Sequence, residues 1–506
     1  MAAHRPDTEC DSVPNVDLSN LNVRARIALF LPRIQGRFSV GVTTFVTPVR
    51  PPQSIGTAKL KRSAGKKQEQ PSHALFLEEV AFTAYYPADV SAASKKGVPW
   101  FLRPIRESLH GFAAFLGLPS WLLWPVVYLF GAFLRIPAYP NAPLLSPSKA
   151  DINASQWPLV IFSHGLGGGR TVYSQFCSRL AASGKIVLAV EHRDGTGTVC
   201  MPRSWNQGMK SGPRPIFYLR ETDIHWDDSD KIDTHPIPLR GQQLVFRHHE
   251  VHIAYSTFCR FLRNDPTLDL ETIDGSPFDK SSWLSSDQSS DAAKVRYQDG
   301  IVFTGHSFGG CTVLSLLSTE PLEGYAAIPV ERVVILDPWL EPLPSPGPTP
   351  FPRKKATDEA SVAEESVRSS VEGVFATENG TPNGRSLHPR MLVINSEAFT
   401  IWKDHFARLQ EVVAGWEPEG GKILTLVGSA HVSFSDFPVL PIIRKKTAQP
   451  ILDTIAKLSL AFLEDKLDEA LETLPKTKME VKIVGVKKDG KPKRKLVGNV
   501  GDVIVL

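Results

Sequence analysis

The stretch that decides the fold is Gly305-His306-Ser307-Phe308-Gly309-Gly310, which directly follows the apolar run Ile301-Val302-Phe303-Thr304. The apolar run predicts a buried strand, and the apolar spacing after the glycines predicts a helix. A serine on a sharp strand-to-helix turn needs glycine two positions before and after it, because a side chain there would collide with neighbouring backbone. The stretch therefore predicts a nucleophile elbow with Ser307 at its tip and Gly305 and Gly309 as its glycines.

Two later predicted strands are followed by an acid and by a histidine, respectively. The apolar run at 332–336 is followed by Asp337, and the run at 422–427 leads to His431. Serine, then acid, then histidine is the chain order of α/β hydrolases, whose functional groups gather at one edge of the sheet. A serine hydroxyl needs an imidazole to take its proton and a carboxylate to orient that imidazole. We therefore expect Ser307 as nucleophile, Asp337 as acid and His431 as base.

An earlier apolar run, at 158–162, leads into the glycine-rich loop Ser163-His164-Gly165-Leu166-Gly167-Gly168-Gly169. An oxyanion hole in this fold takes one N–H from the residue after the nucleophile and one from a loop after an earlier strand. The backbone N–H groups of Leu166 and Phe308 are therefore the expected donors. A phosphate-binding loop is disfavoured, because no lysine followed by serine or threonine comes after the glycines.

These segments closely resemble the platelet-activating factor acetylhydrolase family, which comprises plasma (lipoprotein-associated) and intracellular type II phospholipases A2. The resemblance spans residues 36–465 and rests on segments that occur in this order: Val160-Ile161-Phe162-Ser163-His164-Gly165-Leu166-Gly167, Ala189-Val190-Glu191-His192-Arg193-Asp194, Gly305 to Gly310, Leu336-Asp337-Pro338-Trp339, Ile394-Asn395-Ser396-Glu397, Gly428-Ser429-Ala430-His431 and Phe434-Ser435-Asp436-Phe437. The chain departs from the family pattern by a long insert after the acid.

The resemblance implies an α/β-hydrolase fold with a mostly parallel sheet and the same nucleophile, acid, base and oxyanion donors. It also implies a calcium-independent serine esterase that hydrolyses short or oxidised sn-2 acyl groups of glycerophospholipids, of the 1-alkyl-2-acetylglycerophosphocholine esterase type. Neither a metal nor a cofactor is implied. A general lipase or carboxylesterase and a catalytically silent membrane scaffold remain the alternatives.

Several other polar residues compete for roles in this site. Asp194 and Asp436 are rival acids, but the first precedes the nucleophile and the second lies very close to the histidine in sequence. The cluster Glu191-His192-Arg193-Asp194 favours a structural ion-pair group over a metal site, whose ligands would be better spaced. For His164 and His306 we expect packing or hydrogen bonding.

An apolar segment at 99–137 predicts contact with a lipid surface. It contains Trp121-Leu122-Leu123-Trp124, but its prolines break it and its tryptophans lie in the middle, which disfavours a membrane-spanning helix. A pair of interfacial helices is the favoured interpretation, with core packing and a membrane span as alternatives. The family resemblance implies a lipid-contacting helix here as well. Trp402 and Phe406 suggest a second interfacial element.

Composition limits the remaining possibilities. The chain has 506 residues and a formal net charge of +4, and its basic residues are not interleaved with aromatic ones, so we expect no nucleic-acid partner. Five scattered cysteines indicate a reducing compartment. Residues 1–20 are polar and lack the apolar core of a signal peptide, so we expect a cytoplasmic protein that associates peripherally with membranes.

The same reading predicts the domain organisation. We expect a poorly ordered extension at 1–35, one catalytic domain at 36–465 and a basic tail at 466–506. Residues 341–388 are rich in proline and then in serine, glutamate and alanine, which predicts a disordered surface insert. The tail contains a hairpin-like turn at 488–491 between two β-prone runs.

Overall fold

The computed structural model describes most of the chain. The described residues are 29–61, 72–91, 94–150, 155–203, 205, 214–226, 237–273, 277–284, 293–345, 347–350, 388–416 and 422–506.

A large twisted sheet forms the centre of the fold. The strands along it, in chain order, are β1 (Val40–Ser54), β2 (Phe76–Pro87), β3 (Trp157–Ser163), β4 (Ile186–Glu191), β5 (Glu271–Ile273), β6 (Ile301–His306), β7 (Val330–Leu336), β8 (Arg390–Ser396), β9 (Lys422–Leu426) and β10 (Val503–Val505). Their order across the sheet is β5-β1-β2-β4-β3-β6-β7-β8-β9-β10. Strands β4, β3, β6, β7, β8 and β9 are parallel to one another, and β5, β1, β2 and β10 are antiparallel to their neighbours.

Helices cover both faces of this sheet. The main helices are α1 (Ile105–Leu116), α2 (Ser120–Leu129), α3 (Ser174–Ala182), α4 (Pro238–Leu262), α5 (Phe308–Ser318), α6 (Glu397–Thr400), α7 (Lys403–Trp416), α8 (Ala448–Leu463) and α9 (Leu467–Glu472). Buried side chains of α4, α5 and α7 pack on one face, and those of α3 and α8 pack on the other. Alternating side chains of each buried strand point to opposite faces, so both helix layers find an apolar surface. The expected α/β-hydrolase fold is confirmed.

Short paired strands lie outside the central sheet. They are Leu29–Phe30 and Val98–Pro99 on either side of Leu134–Ile136, Lys59–Leu60 with Ile224–His225, Val199–Cys200 with Ile216–Phe217, and Val481–Val486 with Pro492–Leu496. Two further short strands, Tyr139–Pro140 and Val295–Arg296, pair with β1 and β3.

The chain reverses its direction of strand addition at β3. Strand β4 pairs with one side of β3 and β6 pairs with the other, so the carboxyl ends of β3 and β6 are adjacent. In open α/β sheets such a switch point forms a crevice in which functional groups gather. The elbow serine and the glycine-rich loop both lie there.

Three expectations about the less regular segments need correction. Residues 341–345 and 347–350 pack against α7 instead of forming a disordered insert, because Leu343 is buried and the Trp416 indole donates a hydrogen bond to the Pro348 carbonyl oxygen. Residues 351–387 lie outside the described residues. The extension at 1–35 was expected to be poorly ordered, but its residue Leu31 is buried. Residues 1–28 are not among those described.

The segment at 466–506 is also more than a basic tail. It contains α9 and ends in β10, whose Val503 and Ile504 are buried at the edge of the central sheet. A basic tail was expected here, but the buried apolar residues of β10 form the last strand of the central sheet. The predicted hairpin-like turn at 488–491 joins Val481–Val486 to Pro492–Leu496.

Candidate active site

The elbow geometry begins with the backbone of Ser307. This residue has φ 57° and ψ −119°, a strained conformation for a residue with a side chain, and it directly precedes α5. A Cβ on Gly305 would overlap the backbone of Gly309, and a Cβ on Gly309 would overlap the carbonyl group of Ser163. Both glycines are therefore required by close backbone contacts, as the sequence predicts.

The three residues expected to act together are in hydrogen-bond contact. The Ser307 hydroxyl lies 2.9 Å from Nε2 of His431, and Nδ1 of His431 lies 2.6 Å from Oδ2 of Asp337. Ser307 and Asp337 are buried, whereas the His431 side chain is one-third exposed. A serine, an imidazole and a buried carboxylate connected in this order can transfer the serine proton to the ring.

Asp337 is held by the strand next to its own. The backbone N–H of Ser396 donates to Oδ1 at 2.6 Å, and the Ser396 hydroxyl donates to Oδ2 at 2.7 Å. Hydrogen bonds to an ionised acceptor are the strong ones, and they compensate for burial of the charge. The sequence contains Ser396 in one of the segments that carry the family resemblance, but gives it no role.

Two aromatic rings flank the imidazole of His431. The Phe399 ring stacks on it with centroids 4.4 Å apart and planes 10° apart, and the His306 ring lies 4.6 Å away. Nε2 of His306 also donates to the carbonyl oxygen of His431 at 3.0 Å. The ring and the backbone of His431 are thus both held. The contacts of His306 agree with the packing or hydrogen bonding expected from the sequence, whereas the sequence indicated no role for Phe399.

Tyr173 connects His306 to the glycine-rich loop. Its hydroxyl donates to Nδ1 of His306 at 2.8 Å and accepts from the N–H of Gly165 at 3.3 Å. Burial lowers the pKa of His306 well below its ordinary value, which keeps the ring neutral with one donor and one acceptor nitrogen. A single buried chain of hydrogen bonds therefore joins the base to the start of the loop.

The expected oxyanion donors lie on either side of Ser307. Phe308 is the first residue of α5, and a Cβ on Gly165, next to Leu166, would lie 2.8 Å from the Ser307 Cβ. No hydrogen bond of the Leu166 or Phe308 N–H group is found among the described residues. Both amides therefore remain available to an oxygen bound beside Ser307.

A second Ser-His-acid arrangement lies behind this site. The Ser163 hydroxyl is 2.8 Å from Nε2 of His192, and Nδ1 of His192 is 2.7 Å from Oε2 of Glu250. All three are buried, with His192 and Glu250 fully so. Burial lowers the pKa of His192 and, with the nearby Asp194, raises that of Glu250. This arrangement is closed to solvent, so a substrate cannot reach its serine. We therefore interpret its hydrogen bonds as structural support for the loop at the end of β3.

A buried arginine links the same loop to α5. The Arg247 guanidinium donates to the His164 carbonyl oxygen at 2.8 Å and to the Thr312 hydroxyl at 3.1 Å, and it lies 4.5 Å from the Phe308 ring centroid. Its charge is paired with Asp194 at 2.8 Å. Arg247 lies in the middle of α4, and no local sequence pattern indicates that its side chain reaches the site.

The two rival acids have other partners. Asp194 pairs with Arg247 and accepts from the N–H of Thr196 at 2.9 Å. Asp436 accepts from the Trp100 indole at 3.0 Å and from the N–H of Ser174, the first residue of α3, at 3.1 Å. Burial raises the pKa of Asp436 to about 7 against the effect of these donors. The acid in contact with His431 is Asp337.

The cluster that follows β4 forms ion pairs. Arg193 pairs with Glu79 and with Glu191, and Glu191 also pairs with Arg170 at 2.7 Å. These residues are buried and bind β2 to β4. They have the structural character that the sequence suggested.

One group of possible metal ligands occurs among the described residues, and it overlaps the triad. Ligand atoms of His306, Asp337 and His431 lie within 4.8 Å of one another. Both ring nitrogens of His306 already have hydrogen-bond partners, Tyr173 and the His431 carbonyl. The donor set therefore fits a hydrogen-bonded triad better than a metal site.

The apolar segment at 99–137 forms two helices, α1 and α2. Trp121, Leu122 and Trp124 are 74%, 47% and 52% exposed, and Leu123 is half-buried. Helix α1 reaches the site, because a Cβ on Gly167 would overlap the Phe115 ring. Among the described residues, no helix is both long enough and apolar enough to cross a membrane.

The second expected interfacial element is only partly exposed. Trp402 is 42% exposed and stacks on His405 with ring centroids 4.8 Å apart. Phe406, expected at the same surface, is instead buried on the inner side of α7. The expectation for Phe406 is wrong, because the helical period turns this side chain towards Leu409 and the core.

Sequence comparison with known proteins shows the family to which the chain belongs. A family model described as platelet-activating factor acetylhydrolase, isoform II, matches residues 27–347 of the 506-residue chain. The chain belongs to the platelet-activating factor acetylhydrolase family. The matched region includes Ser307 and Asp337 and ends before His431.

Members of this family align with most of the chain at low identity. The platelet-activating factor acetylhydrolase of Bos taurus is 32% identical over 273 residues, which are 53% of this chain and 54% of that protein. The protein of the same name from Canis lupus familiaris is 26% identical over 397 residues, 76% of this chain and 71% of that protein. A solved ferulic acid esterase from Streptomyces cinnamoneus has a TM-score of 0.43 and 13% identity, covering 87% of this chain and 92% of that one, too weak a similarity for any argument.

Proposed function

We propose that this protein is a serine esterase that hydrolyses short or oxidised sn-2 acyl groups of glycerophospholipids without calcium. The observation that carries the proposal is the contact of Ser307 with His431 at 2.9 Å and of His431 with Asp337 at 2.6 Å. Membership of a family whose members are named for acetyl hydrolysis supports the choice of substrate.

The reaction proceeds in two steps through an acyl-enzyme. His431 takes the proton from Ser307 through Nε2 while the serine oxygen attacks the sn-2 carbonyl carbon. The carbonyl oxygen becomes negative and accepts hydrogen bonds from the N–H groups of Leu166 and Phe308. The protonated imidazole, stabilised by Asp337, gives its proton to the departing lysophospholipid oxygen.

Hydrolysis of the acyl-enzyme repeats these proton transfers with water. His431 takes a proton from water, the resulting oxygen attacks the acyl carbon, and the bond to the Ser307 oxygen breaks. The serine regains its proton from the ring, and a short carboxylic acid leaves. These steps need no metal, because backbone N–H groups polarise the carbonyl.

We propose that α2 rests on the phospholipid surface that supplies the substrate. This helix, Ser120–Leu129, consists almost wholly of apolar residues, yet among them only Val127 is buried. Exposed apolar surface of this extent is unfavourable in water and is typical of interaction sites. Contact between Phe115 of α1 and Gly167 places these helices next to the loop that carries Leu166.

A substrate series tests the proposed activity. We expect hydrolysis of 1-alkyl-2-acetylglycerophosphocholine to exceed that of a long-chain diacyl phosphatidylcholine, and Ser307→Ala to abolish both. Ser163→Ala is the comparison variant, and it should lower the activity much less than Ser307→Ala, since Ser163 is buried away from solvent and acts on the site only by supporting the loop. Rapid hydrolysis of long-chain lipids or triacylglycerols instead would identify a general lipase. Full activity of a folded Ser307→Ala variant would overturn the mechanism.

A further inference from the structure

A strongly basic hairpin follows the last helix of the chain. Residues 476–495 contain nine lysines and arginines and two acids, Glu480 and Asp489, which gives a formal charge of +7 (9 − 2). Among the described residues, this segment makes one ion pair, between Lys491 and Asp489 at 4.0 Å. Most of its positive charge is therefore not neutralised by the part of the chain that the structure describes.

Packing against the described residues explains little of this hairpin. All residues of Val481–Val486 are exposed, with Ile483 at 68% and Val486 at 70%. Lys482 lies directly opposite Lys495 in the paired register, where like charges are destabilising. A two-stranded hairpin without a packed face is only marginally stable by itself. These features indicate a surface adapted to a partner outside the chain.

The hairpin projects from the edge of the sheet that carries the active site. Its buried Leu496 packs with Val427 and Ile504, and the Val427 N–H donates to the Asp502 carbonyl oxygen. Val427 directly follows β9, four residues before His431. The carboxyl ends of the parallel strands meet at this edge, where the loop beside α1 also lies. The basic hairpin and the apolar helices are thus attached to the same edge.

We propose that the hairpin Val481–Val486 and Pro492–Leu496 docks on the anionic phospholipids of a membrane surface. Its positive charge complements a negatively charged leaflet, and exposed Ile483 and Val486 can enter the headgroup region. A nucleic acid fits less well, because residues 476–506 contain no aromatic side chain on which bases could stack. The membrane is therefore the partner that both the charge and the apolar residues favour.

The consequence for catalysis rests on the proposed function. If the protein is the proposed esterase, the hairpin directs it to anionic membranes, while α2 supplies apolar contact that does not depend on lipid charge. Membrane choice would then be set by the hairpin, and access of substrate to Ser307 by the helices.

Vesicle binding of the full chain tests the proposal. We compare vesicles of phosphatidylcholine alone with vesicles that also contain phosphatidylserine, using sedimentation of the unmodified protein and of Lys482→Gln/Lys487→Gln/Lys493→Gln. Each basic residue near an anionic surface strengthens binding about fivefold, so the triple variant should bind phosphatidylserine vesicles on the order of 100-fold more weakly. Binding to pure phosphatidylcholine should not change.

A matched variant controls for total charge. Lys149→Gln/Lys457→Gln/Lys466→Gln removes three exposed lysines that lie away from the active-site edge, and it should bind phosphatidylserine vesicles like the unmodified protein. An equal loss in both variants, or no loss in the hairpin variant, would overturn the proposal. Tight, hairpin-dependent binding of single-stranded RNA without vesicle binding would identify a nucleic-acid surface instead.

Two further measurements test the electrostatic contact and distinguish the docking proposal from the proposed function. Binding of the unmodified protein to phosphatidylserine vesicles should fall steeply with added salt, and a salt-independent affinity would contradict an electrostatic contact. Hydrolysis of a short, soluble ester should be the same in the hairpin variant and the unmodified protein. If neither hydrolyses the ester while charge-dependent vesicle binding persists, the proposed function fails and the docking surface stands.

Discussion

Replacement of Tyr173 by phenylalanine should impair both folding and catalysis. The Tyr173 hydroxyl is buried and connects Nδ1 of His306 at 2.8 Å with the N–H of Gly165 at 3.3 Å. Its removal leaves two buried polar groups unsatisfied, each at a cost of about 1–3 kcal/mol. We therefore expect Tyr173→Phe to lower the free energy of unfolding by about 2–6 kcal/mol.

The expected catalytic effect follows from the same contacts. Loss of a full oxyanion donor costs about 100- to 1,000-fold in kcat, and a loosened loop should cost less than that. We expect kcat on a short, soluble ester to fall by about 10- to 100-fold, equivalent to about 1.4–2.7 kcal/mol of transition-state stabilisation. KM should change little, because Tyr173 acts through Gly165 and His306 and not on the substrate.

Tyr86 offers a matched control for this experiment. Its hydroxyl is equally buried and has two partners, the Thr43 hydroxyl at 2.8 Å and the Ala142 carbonyl oxygen at 2.6 Å. Tyr86 lies near the far end of β2, away from the active-site edge. Tyr86→Phe should therefore lose comparable stability in denaturant unfolding and keep its kcat. An unchanged kcat in Tyr173→Phe, or equal losses of kcat in both variants, would refute the positioning role.

Three other perturbations test separate parts of the account. Treatment with EDTA should leave ester hydrolysis unchanged, whereas a loss that calcium restores would contradict carbonyl polarisation by backbone donors alone. Trp121→Ser/Leu122→Ser should weaken binding to phosphatidylcholine vesicles by about 2–4 kcal/mol with soluble-ester activity intact. Val245→Ser, at another exposed apolar position, serves as its control, and unchanged sedimentation of the double variant would exclude α2 as the lipid contact. Burial lowers the pKa of four histidines, which are His164, His192, His248 and His306. Below about pH 6.5 the unfolded chain therefore binds more protons than the folded chain. Burial also raises the pKa values of Glu250 and Asp436, and these two groups offset part of the difference. The free energy of unfolding should therefore decrease from pH 7.5 to pH 5.5, by about 1.4 kcal/mol per pH unit for each net proton, and an increase in denaturant titrations would contradict this sign.

Local sequence patterns predict the elbow because its requirements are local. The close backbone contacts of Gly305 and Gly309 depend on residues a few positions apart or on the adjacent strand, so the glycine spacing carries that information. The order of Ser307, Asp337 and His431 could likewise be interpreted because each follows a strand of a known topology. Their mutual contacts at 2.9 and 2.6 Å agree with that interpretation.

Residues that support the site from a distance could not be predicted in the same way. Arg247 and Tyr173 reach the loop from α4 and from the start of α3, and their partners are set by how helices pack on the sheet. The strand Val503–Val505 was missed because it is short and follows a run of charged residues. Phe406 was misplaced because an apolar residue on an amphipathic helix gives no sign of which side faces lipid and which faces the core.

The most direct test of the central claim is to map the residue that a fluorophosphonate ester probe modifies. The probe reacts with a serine that has been activated as a nucleophile, so peptide mass mapping should find one labelled site, Ser307, with loss of esterase activity in step with labelling. Ser163 should stay unlabelled, because its hydroxyl is buried, although it is hydrogen-bonded to His192. Labelling at another serine, or full labelling of Ser307 with esterase activity retained, would contradict the account.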